Sequence, residues 1–500
     1  MRQSWPNRGA RVCAAVIVFA TPAMWEFLHC KTVVSLNNAD FWWHLQTGLE
    51  ILRTHALPHA GWFSQSAMQP WIASSWLYDV RIAIWYRWLG LAALPTLALV
   101  AKFFLAVLMF LLAGGLRGRF WTALALSAVA QYVLWQMPPL PVLSSVVALA
   151  LELILLLAAR RGSRRALYFV PVLLLVWANL DFRFVYGVAA LAVFVATAFV
   201  QAREEQVSRP PRRARDDKKE EGFASAQLKL LPFKTLLIFA ALALIATFIT
   251  PYGWKPWGVF WANATSAANP YFPDFLSLRF RGPQDYVLML LAMAAFLALG
   301  LRRSRDWFAI GLLVFCTIAA FHSQRDAWLL AIASVAVIGQ QEAGFEVRAS
   351  SSESWRWFLV PMGASIVLLL AFMAVKWPSR DTVMAKIAEN YPAAAADFIR
   401  ANNLPAPLFN SFPWGGFLAW YLPQYPVAID GRTDLYGPEA NIGYAKVMNA
   451  EEHYSAYAPL NDADTILLEK KSVIGQALSG VPAFKVAYSD NVAVVLLRQR

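Results

Sequence analysis

Residues 91–113 read LAALPTLALVAKFFLAVLMFLLA, twenty-three positions with a single charge at Lys102. A bilayer core takes roughly 20 apolar residues of helix, and a helix apolar on every face has no side to offer water. This stretch is therefore a membrane span. Ten further runs, bounded by charges or by Pro and Gly turns, share its character: 12–29, 120–137, 142–159, 166–180, 184–201, 234–250, 285–301, 307–321, 327–341 and 356–376. The chain of 500 residues is 59% hydrophobic and 15% charged, where ordinary globular chains carry about 25% charged residues. The predicted fold class is a mainly α-helical polytopic membrane protein of about eleven transmembrane helices, followed by a small C-terminal α/β domain.

The charges set the sidedness. Lys and Arg number 44 against 31 Asp and Glu, a net charge of +13. With a cytosolic N-terminus, 23 of the basic residues fall on cytosolic segments, among them Arg117, Arg119, Arg160, Arg161, Arg164 and Arg165. The opposite side, the C-terminal region apart, holds nine, including Arg183 and Arg325, over longer loops. That asymmetry is the positive-inside rule, so the basic balance is topology and no nucleic-acid partner is needed to explain it. Eleven spans then place the C-terminus outside. Glu26 and His29 close the first apolar run and Thr21-Pro22-Ala23 is a poor cleavage site, so an uncleaved first helix is expected. Residues 1–376 form the membrane domain, and residues 203–222, rich in both charge signs, read as a disordered cytosolic linker.

The outer loop of residues 30–90 carries Asp40-Phe41-Trp42-Trp43-His44, Trp62, Trp71, Trp76, Trp85 and Trp88. Apolar positions at helical spacing from Trp76 to Leu89, interleaved with Asp79, Arg81 and Arg87, predict an amphipathic interfacial helix. Tryptophan collects at headgroup level, so the aromatics either anchor the loop or contact a lipid substrate. Three clusters fall at outer helix ends: the loop opened by Thr250-Pro251-Tyr252-Gly253-Trp254, and two that carry both charge signs, Asn179-Leu180-Asp181-Phe182-Arg183 and His322-Ser323-Gln324-Arg325-Asp326. Each of those two reads as a structural ion pair, Asp181 with Arg183 and Arg325 with Asp326, or as part of a site. A guanidinium binds phosphate through two parallel hydrogen bonds and stays charged, and Asp40 is placed to accept a proton from an attacking hydroxyl or amine. Lys102 and Glu152 fall in mid-membrane, where each pairs, snorkels or faces a cavity.

Three scattered cysteines make no disulfide framework. His55 and His59 are four apart, but Pro58 between them opposes a continuous helix holding zinc. No phosphate-cradling, dinucleotide-binding or zincin motif occurs, and no Ser-Lys motif supports a hydrolase. No metal site and no cofactor are assigned, and a divalent metal is left open. Residues 377–500 have the composition of a soluble domain: a helix at 381–402, a strand at 407–410, a helix at 414–421, a strand at 426–432, and strands at 465–468, 484–488 and 492–497, the last two as a hairpin. Asp430, Arg432 and Asp434, at the end of a predicted strand, are that domain's candidate site, or else a turn with a local ion pair.

Asp40-Phe-Trp-Trp-His44-Leu45 with Gly48, Pro70-Trp71, Trp76-Leu77, Trp177-Ala-Asn179-Leu180, Pro251-Tyr-Gly-Trp254, Arg325, Asn410, Trp414-Gly-Gly416 and Asp430-Gly-Arg432 resemble, in order over most of the chain, a group of bacterial multi-spanning proteins related to the GT-C glycosyltransferases. The resemblance implies a sugar donor linked to polyprenyl phosphate, transfer at the outer face of the bacterial cytoplasmic (inner) membrane, and an acidic residue of the first outer loop as general base, which here is Asp40. The group's pattern has His-Glu before the loop's Trp-Leu, where this chain has Ser74-Ser75, and His after Trp-x-Asn-Leu, where it has Asp181. Asp40 and Asp181 are thus the catalytic candidates. Arg325, Arg183, His44, Trp42, Trp43, His322, Asp430 and Arg432 are the candidates for binding substrate. The implied partners are the lipid-linked donor, membrane lipid and an acceptor glycan, lipid or protein. A non-catalytic protein that binds or translocates lipid-linked glycan, or scaffolds an assembly, is the alternative.

Overall fold

The computed structural model of the chain describes residues 5–34, 39–58, 61–117, 119–207, 233–301, 306–341 and 352–499. Every predicted span falls on a helix: Trp5–His29, Ala93–Leu112, Phe120–Val133, Pro141–Arg160, Arg164–Leu180, Phe184–Val207, Phe233–Ala246, Pro283–Leu301, Trp307–His322, Ala327–Gln341 and Ser352–Val375. Among the described residues, six helical stretches are long and apolar enough to cross a membrane, and the chain is a multi-pass membrane protein. The short helix Ala327–Gln341 lies at the centre of the bundle, with the side chains from Trp328 to Val337 buried. Neighbouring helices rather than lipid surround it, so it need not match the bilayer thickness. The linker expected at 203–222 lies mostly outside the described residues; Phe184–Val207 is helical to its end.

Lys102 is satisfied inside the bundle. Its ammonium donates to the carbonyls of Leu134, Trp135 and Met137 at 3.4, 2.5 and 3.4 Å, just past the C-terminal end of Phe120–Val133, where orphan carbonyls favour a cation. Glu152 is fully buried and neither carboxyl oxygen has a hydrogen-bond partner among the described residues.

After a short helix at Lys31–Val34, the loop between the first two spans forms two longer helices, Asp40–Thr54 and Trp76–Leu89. They cross at Gly48, where a Cβ would stand 1.9 Å from the Asp79 carbonyl oxygen. Only a glycine lets the two backbones meet there. His55, in the left-handed region at φ 54°, ends the first helix.

The C-terminal region carries a four-stranded sheet of β1 (Leu408–Asn410), β2 (Thr465–Glu469), β3 (Phe484–Ser489) and β4 (Ala493–Arg498), in the order β1-β2-β4-β3. β1 and β2 run parallel and the other pairs antiparallel. Side chains alternate across a strand: Leu408, Leu467 and Val495 face one core, Phe409, Ile466 and Val494 the other. The outer loop supplies a tryptophan to each core. Trp42 packs with Tyr391, Phe417 and Trp420 on one side, and Trp71 packs with Ile429 and Tyr436 on the other.

Two expectations for this region need correction. The helix expected at 381–402 is two, Arg380–Ala388 and Ala393–Ala401, because Pro392 lacks the N–H that a continuous helix requires. The segment 426–432 is not a strand of the sheet. Val427 makes an isolated bridge with Ser64, and the side chain of Asn410 stands in for a ladder partner, accepting from the Ala428 N–H and donating to the Ile429 carbonyl at 2.8 Å each. Val427 exchanges backbone bonds with Phe63 and Gln65 rather than with a strand of the sheet, and the Asn410 amide serves the next two residues, an arrangement that alternation cannot reveal.

Candidate active-site cleft

The first-turn residue Asp40 projects from the start of Asp40–Thr54, and His44, one turn later, follows it on the same face. Asp181 and Arg183 sit in the link between Arg164–Leu180 and Phe184–Val207, and Arg325 in the link before Ala327–Gln341. The segment Gly431–Asp434 arrives from the C-terminal region. All of these residues line one cleft of about 690 Å³. The topology thus gathers the first long loop, two links between helices and the C-terminal region around one space.

Pairing decides which charges remain available. Asp181 is fully buried; its Oδ2 accepts from Ser145 Oγ at 2.8 Å and from Arg183 at 3.0 Å, and its Oδ1 accepts from the same guanidinium at 3.1 Å. Asp430 and Arg432 form a second buried pair with contacts of 2.5 to 3.1 Å, and Arg432 also donates to the Trp62 carbonyl and lies over the Trp71 ring. His44 Nδ1 meets Asp79 Oδ1 at 2.6 Å, with Asp79 buried. Arg325 makes no ion pair with Asp326, whose carboxylate accepts instead from Tyr186 at 2.7 Å. Its guanidinium lies between the rings of Phe182 and Phe275, 5.6 and 4.8 Å from their centroids. Among the described residues of the cleft, Asp40, Asp434 and Arg325 are the charges that no ion pair neutralises.

The environment acts on each of the three. Burial pushes the Asp40 carboxyl above the ordinary carboxylate range, against the pull of the Trp43 N–H, of Arg325, and of His44 when that ring carries a second proton. Trp43 Nε1 donates to Asp40 Oδ1 at 3.0 Å, and Gly431 closes over the same oxygen. Burial likewise pushes Asp434 up to about 6, opposed by its own backbone N–H and by Arg432. Desolvation pulls the Arg325 guanidinium down to about 10, helped by Arg183, while Asp326, Asp181 and Asp40 hold it up. At that value it stays charged near neutrality.

The remaining sequence candidates lie elsewhere. Trp42 is a core residue away from the cleft, while Trp43 stacks on His44 at its wall. His322 lines an adjoining cleft of about 640 Å³, which shares Phe182, Arg183 and Arg325 with the first. Asp430 lies beneath Arg432 and holds it. His55 is exposed and His59 lies outside the described residues. Among the described residues no three His, Cys, Asp or Glu converge as a metal site. Sequence reasoning passed over Asp79, Ser145 and Gly431. Asp79 stood among the interleaved charges of an amphipathic pattern, and its meeting with His44 needs the close helix crossing at Gly48. Ser74 and Ser75 also line the cleft.

No family model matches the chain, and no curated protein matches it. Among solved structures, the chain is similar to the Archaeoglobus fulgidus oligosaccharyltransferase tethered with an acceptor peptide, at 11% identity and a TM-score of 0.53, covering 100% of this chain and 74% of that one. It is also similar to the same organism's oligosaccharyltransferase AglB in complex with an inhibitory peptide and a dolichol-phosphate (12% identity, TM-score 0.49, 93% and 70% covered). ArnT from Cupriavidus metallidurans bound to undecaprenyl phosphate gives 13% identity and a TM-score of 0.48, with 97% of each chain covered. At these identities the likeness is one of fold: the chain shares the fold of the Archaeoglobus fulgidus oligosaccharyltransferase.

Proposed function

We propose that this GT-C-fold chain is a membrane glycosyltransferase that moves a sugar from a polyprenyl-phosphate-linked donor to an acceptor at the outer face of a bacterial cytoplasmic membrane. The observation that carries the reading is that Asp40, Asp181 and Arg325, distant in sequence, line one cleft, and that Arg325 reaches it with no ion-pair partner among the described residues. Residues 1–376 act as the membrane domain, with a cytosolic N-terminus, and residues 377–500 as the extracytoplasmic one.

In this reading Arg325 takes the donor phosphate, offering two parallel N–H groups to two oxygens. Arg183, already held by Asp181, adds positive potential without being free to move. Asp40 accepts the proton of the acceptor nucleophile as that atom bonds to the anomeric carbon. The anomeric C–O bond breaks with its electron pair leaving on the phosphate, which the guanidinium neutralises. Asp181 acts by holding Arg183, as a positioning residue. His44 and Trp43 form the wall on the acceptor side. The fold-sharing oligosaccharyltransferase holds an acceptor peptide in its structure, so a peptide stands among the acceptor classes to try, with glycans and lipids.

Purified Asp40→Asn should bind the donor as the parent does and lose transfer by about 100-fold or more, the usual worth of a positioned general base. Unchanged turnover sinks the assignment. A second reading is favoured by Ser74 and Ser75 at the cleft wall, where the family resemblance implies His-Glu: a protein that binds or translocates lipid-linked glycan without consuming it. Radiolabelled donor that crosses vesicle membranes yet is never cleaved would select it.

A further inference from the structure

Asp40 presents a difficulty that the transfer reaction does not itself solve. Its Oδ1 is covered by Gly431 and bonded by Trp43, and burial favours its protonated form. A carboxyl enclosed in this way needs a path along which its proton leaves before the next turnover. One turn along the same helix, His44 is buried between the Trp43 ring, stacked at 3.5 Å between centroids, and the Tyr78 ring, edge-on at 5.2 Å. Its Nδ1 lies 2.6 Å from Asp79 Oδ1. With Asp79 ionised the contact makes Nδ1 the donor, and in the neutral imidazole this leaves Nε2 as the acceptor. Nε2 has no hydrogen-bond partner among the described residues, and His44 lines the cleft beside Asp40.

We propose that His44, oriented by Asp79, is a catalytic residue that takes the proton from Asp40 after sugar transfer. The inference rests on the transferase reading of this cleft and deepens it. The steps balance. The acceptor O–H or N–H gives its proton to Asp40 as the acceptor atom bonds to the anomeric carbon and the donor phosphate departs. Asp40 then passes that proton to His44 Nε2, leaving an ionised Asp40 and an imidazolium whose charge Asp79 balances. His44 gives the proton to water in the cleft and returns to its starting tautomer. Tyr78 and Asp79 on Trp76–Leu89 meet the His44 ring, Asp40 on its own helix lies next to Arg325 and Asp430, and Arg432 acts on Asp79. Asp79 is the one that bonds the ring. Its second oxygen is buried without a partner among the described residues, so its interaction is spent on the imidazole.

Two measurements test the relay on the full-length protein. Nitrogen-15 NMR of histidine-labelled protein in micelles, with His44 assigned through His44→Gln, should show a protonated Nδ1 and an unprotonated Nε2 at neutral pH. Asp79→Asn should abolish that preference. The opposite tautomer in the parent overturns the proposal. Turnover is then followed with a short-chain polyprenyl-phosphate hexose, radiolabelled in the sugar. His44→Ala should lower kcat about 100-fold with the donor KM unchanged, and added imidazole should restore at least tenfold of the loss. Imidazole without effect on a variant that still binds donor overturns the relay. If His44→Ala fails to fold, Asp79→Asn replaces it: kcat should fall with the donor KM unchanged and the Nδ1 preference lost, and an unaltered kcat counts against the relay. Asp40→Asn run in parallel separates the two claims: if it turns over normally the transferase reading fails, whereas an inactive Asp40→Asn beside an unrescued His44→Ala removes the relay alone.

Discussion

Gly431 lies so close to Asp40 that a Cβ on it would stand 1.7 Å from the Asp40 Oδ1 and 3.1 Å from Trp43 Nε1. The glycine therefore fixes the carboxylate by leaving room for it, and it joins the C-terminal region to the first outer loop at the reacting group. Gly431→Ala must displace Asp40 or part the two segments. The expected result is a fall in kcat of about tenfold to 100-fold, since small displacements of a reacting group are that costly. Overpacking should also lower stability by about 1–3 kcal/mol. Transfer assays and thermal unfolding of the purified variant check both.

Arg325 is held by rings rather than by a carboxylate, which makes it the cation with most to gain from an anion. A hydrogen bond to a charged group is worth about 1.5–3 kcal/mol, so Arg325→Ala should raise the donor dissociation constant by about tenfold to 100-fold. Arg325→Lys should recover part of it, because an ammonium supplies the charge without the fork. Equilibrium binding of labelled donor in detergent measures this, and equal affinity in all three proteins would remove Arg325 from the donor site.

Asp430 and Arg432 are both fully buried. Breaking such a pair from one side leaves an uncompensated charge and costs about 3–5 kcal/mol, whereas replacing both partners together costs far less. Asp430→Asn and Arg432→Met should each lower the unfolding temperature sharply. The double variant should be more stable than either single one. A double variant that merely sums the two losses would show the residues acting independently.

The membrane architecture is legible in the sequence because a lipid environment demands long apolar runs, and each of the eleven runs is a helix. The cleft was half legible. Asp40, Asp181 and Arg325 sit at the ends of elements, and the predicted sidedness puts those ends on one face. What sidedness cannot supply is the pairing. Nothing local in Asp326 reveals that Tyr186 from another helix will occupy its carboxylate and leave Arg325 unpaired. Asp79 meets His44 only because Gly48 lets two helices touch. The 426–432 segment misleads for a related reason: its apolar residues are buried against the outer loop, with Asn410 replacing a strand, so a strand-like composition sits outside the sheet.

The two carboxyls of the cleft that no ion pair neutralises among the described residues, Asp40 and Asp434, predict opposite responses of activity and stability to acid. Burial raises Asp40 above the ordinary carboxylate range and Asp434 to about 6. A base must be ionised to act, so transfer should fall as pH falls through the raised Asp40 value. Stability runs the other way. A carboxyl whose folded pKa lies above its unfolded value of 3.8 takes up its proton in the native state first, so between about 6 and 4 the folded form binds more protons than the unfolded one. These two groups therefore contribute stability that grows as pH falls through that window and is lost as pH rises. Asp434→Asn removes one of them and leaves Asp40 in place. Its unfolding temperature should depend less on pH between 6 and 4 than the parent's, while the acid limb of transfer, which belongs to Asp40, keeps its position. If Asp434→Asn shifts the acid limb of kcat instead, Asp434 and not Asp40 is the carboxyl whose ionisation the reaction requires.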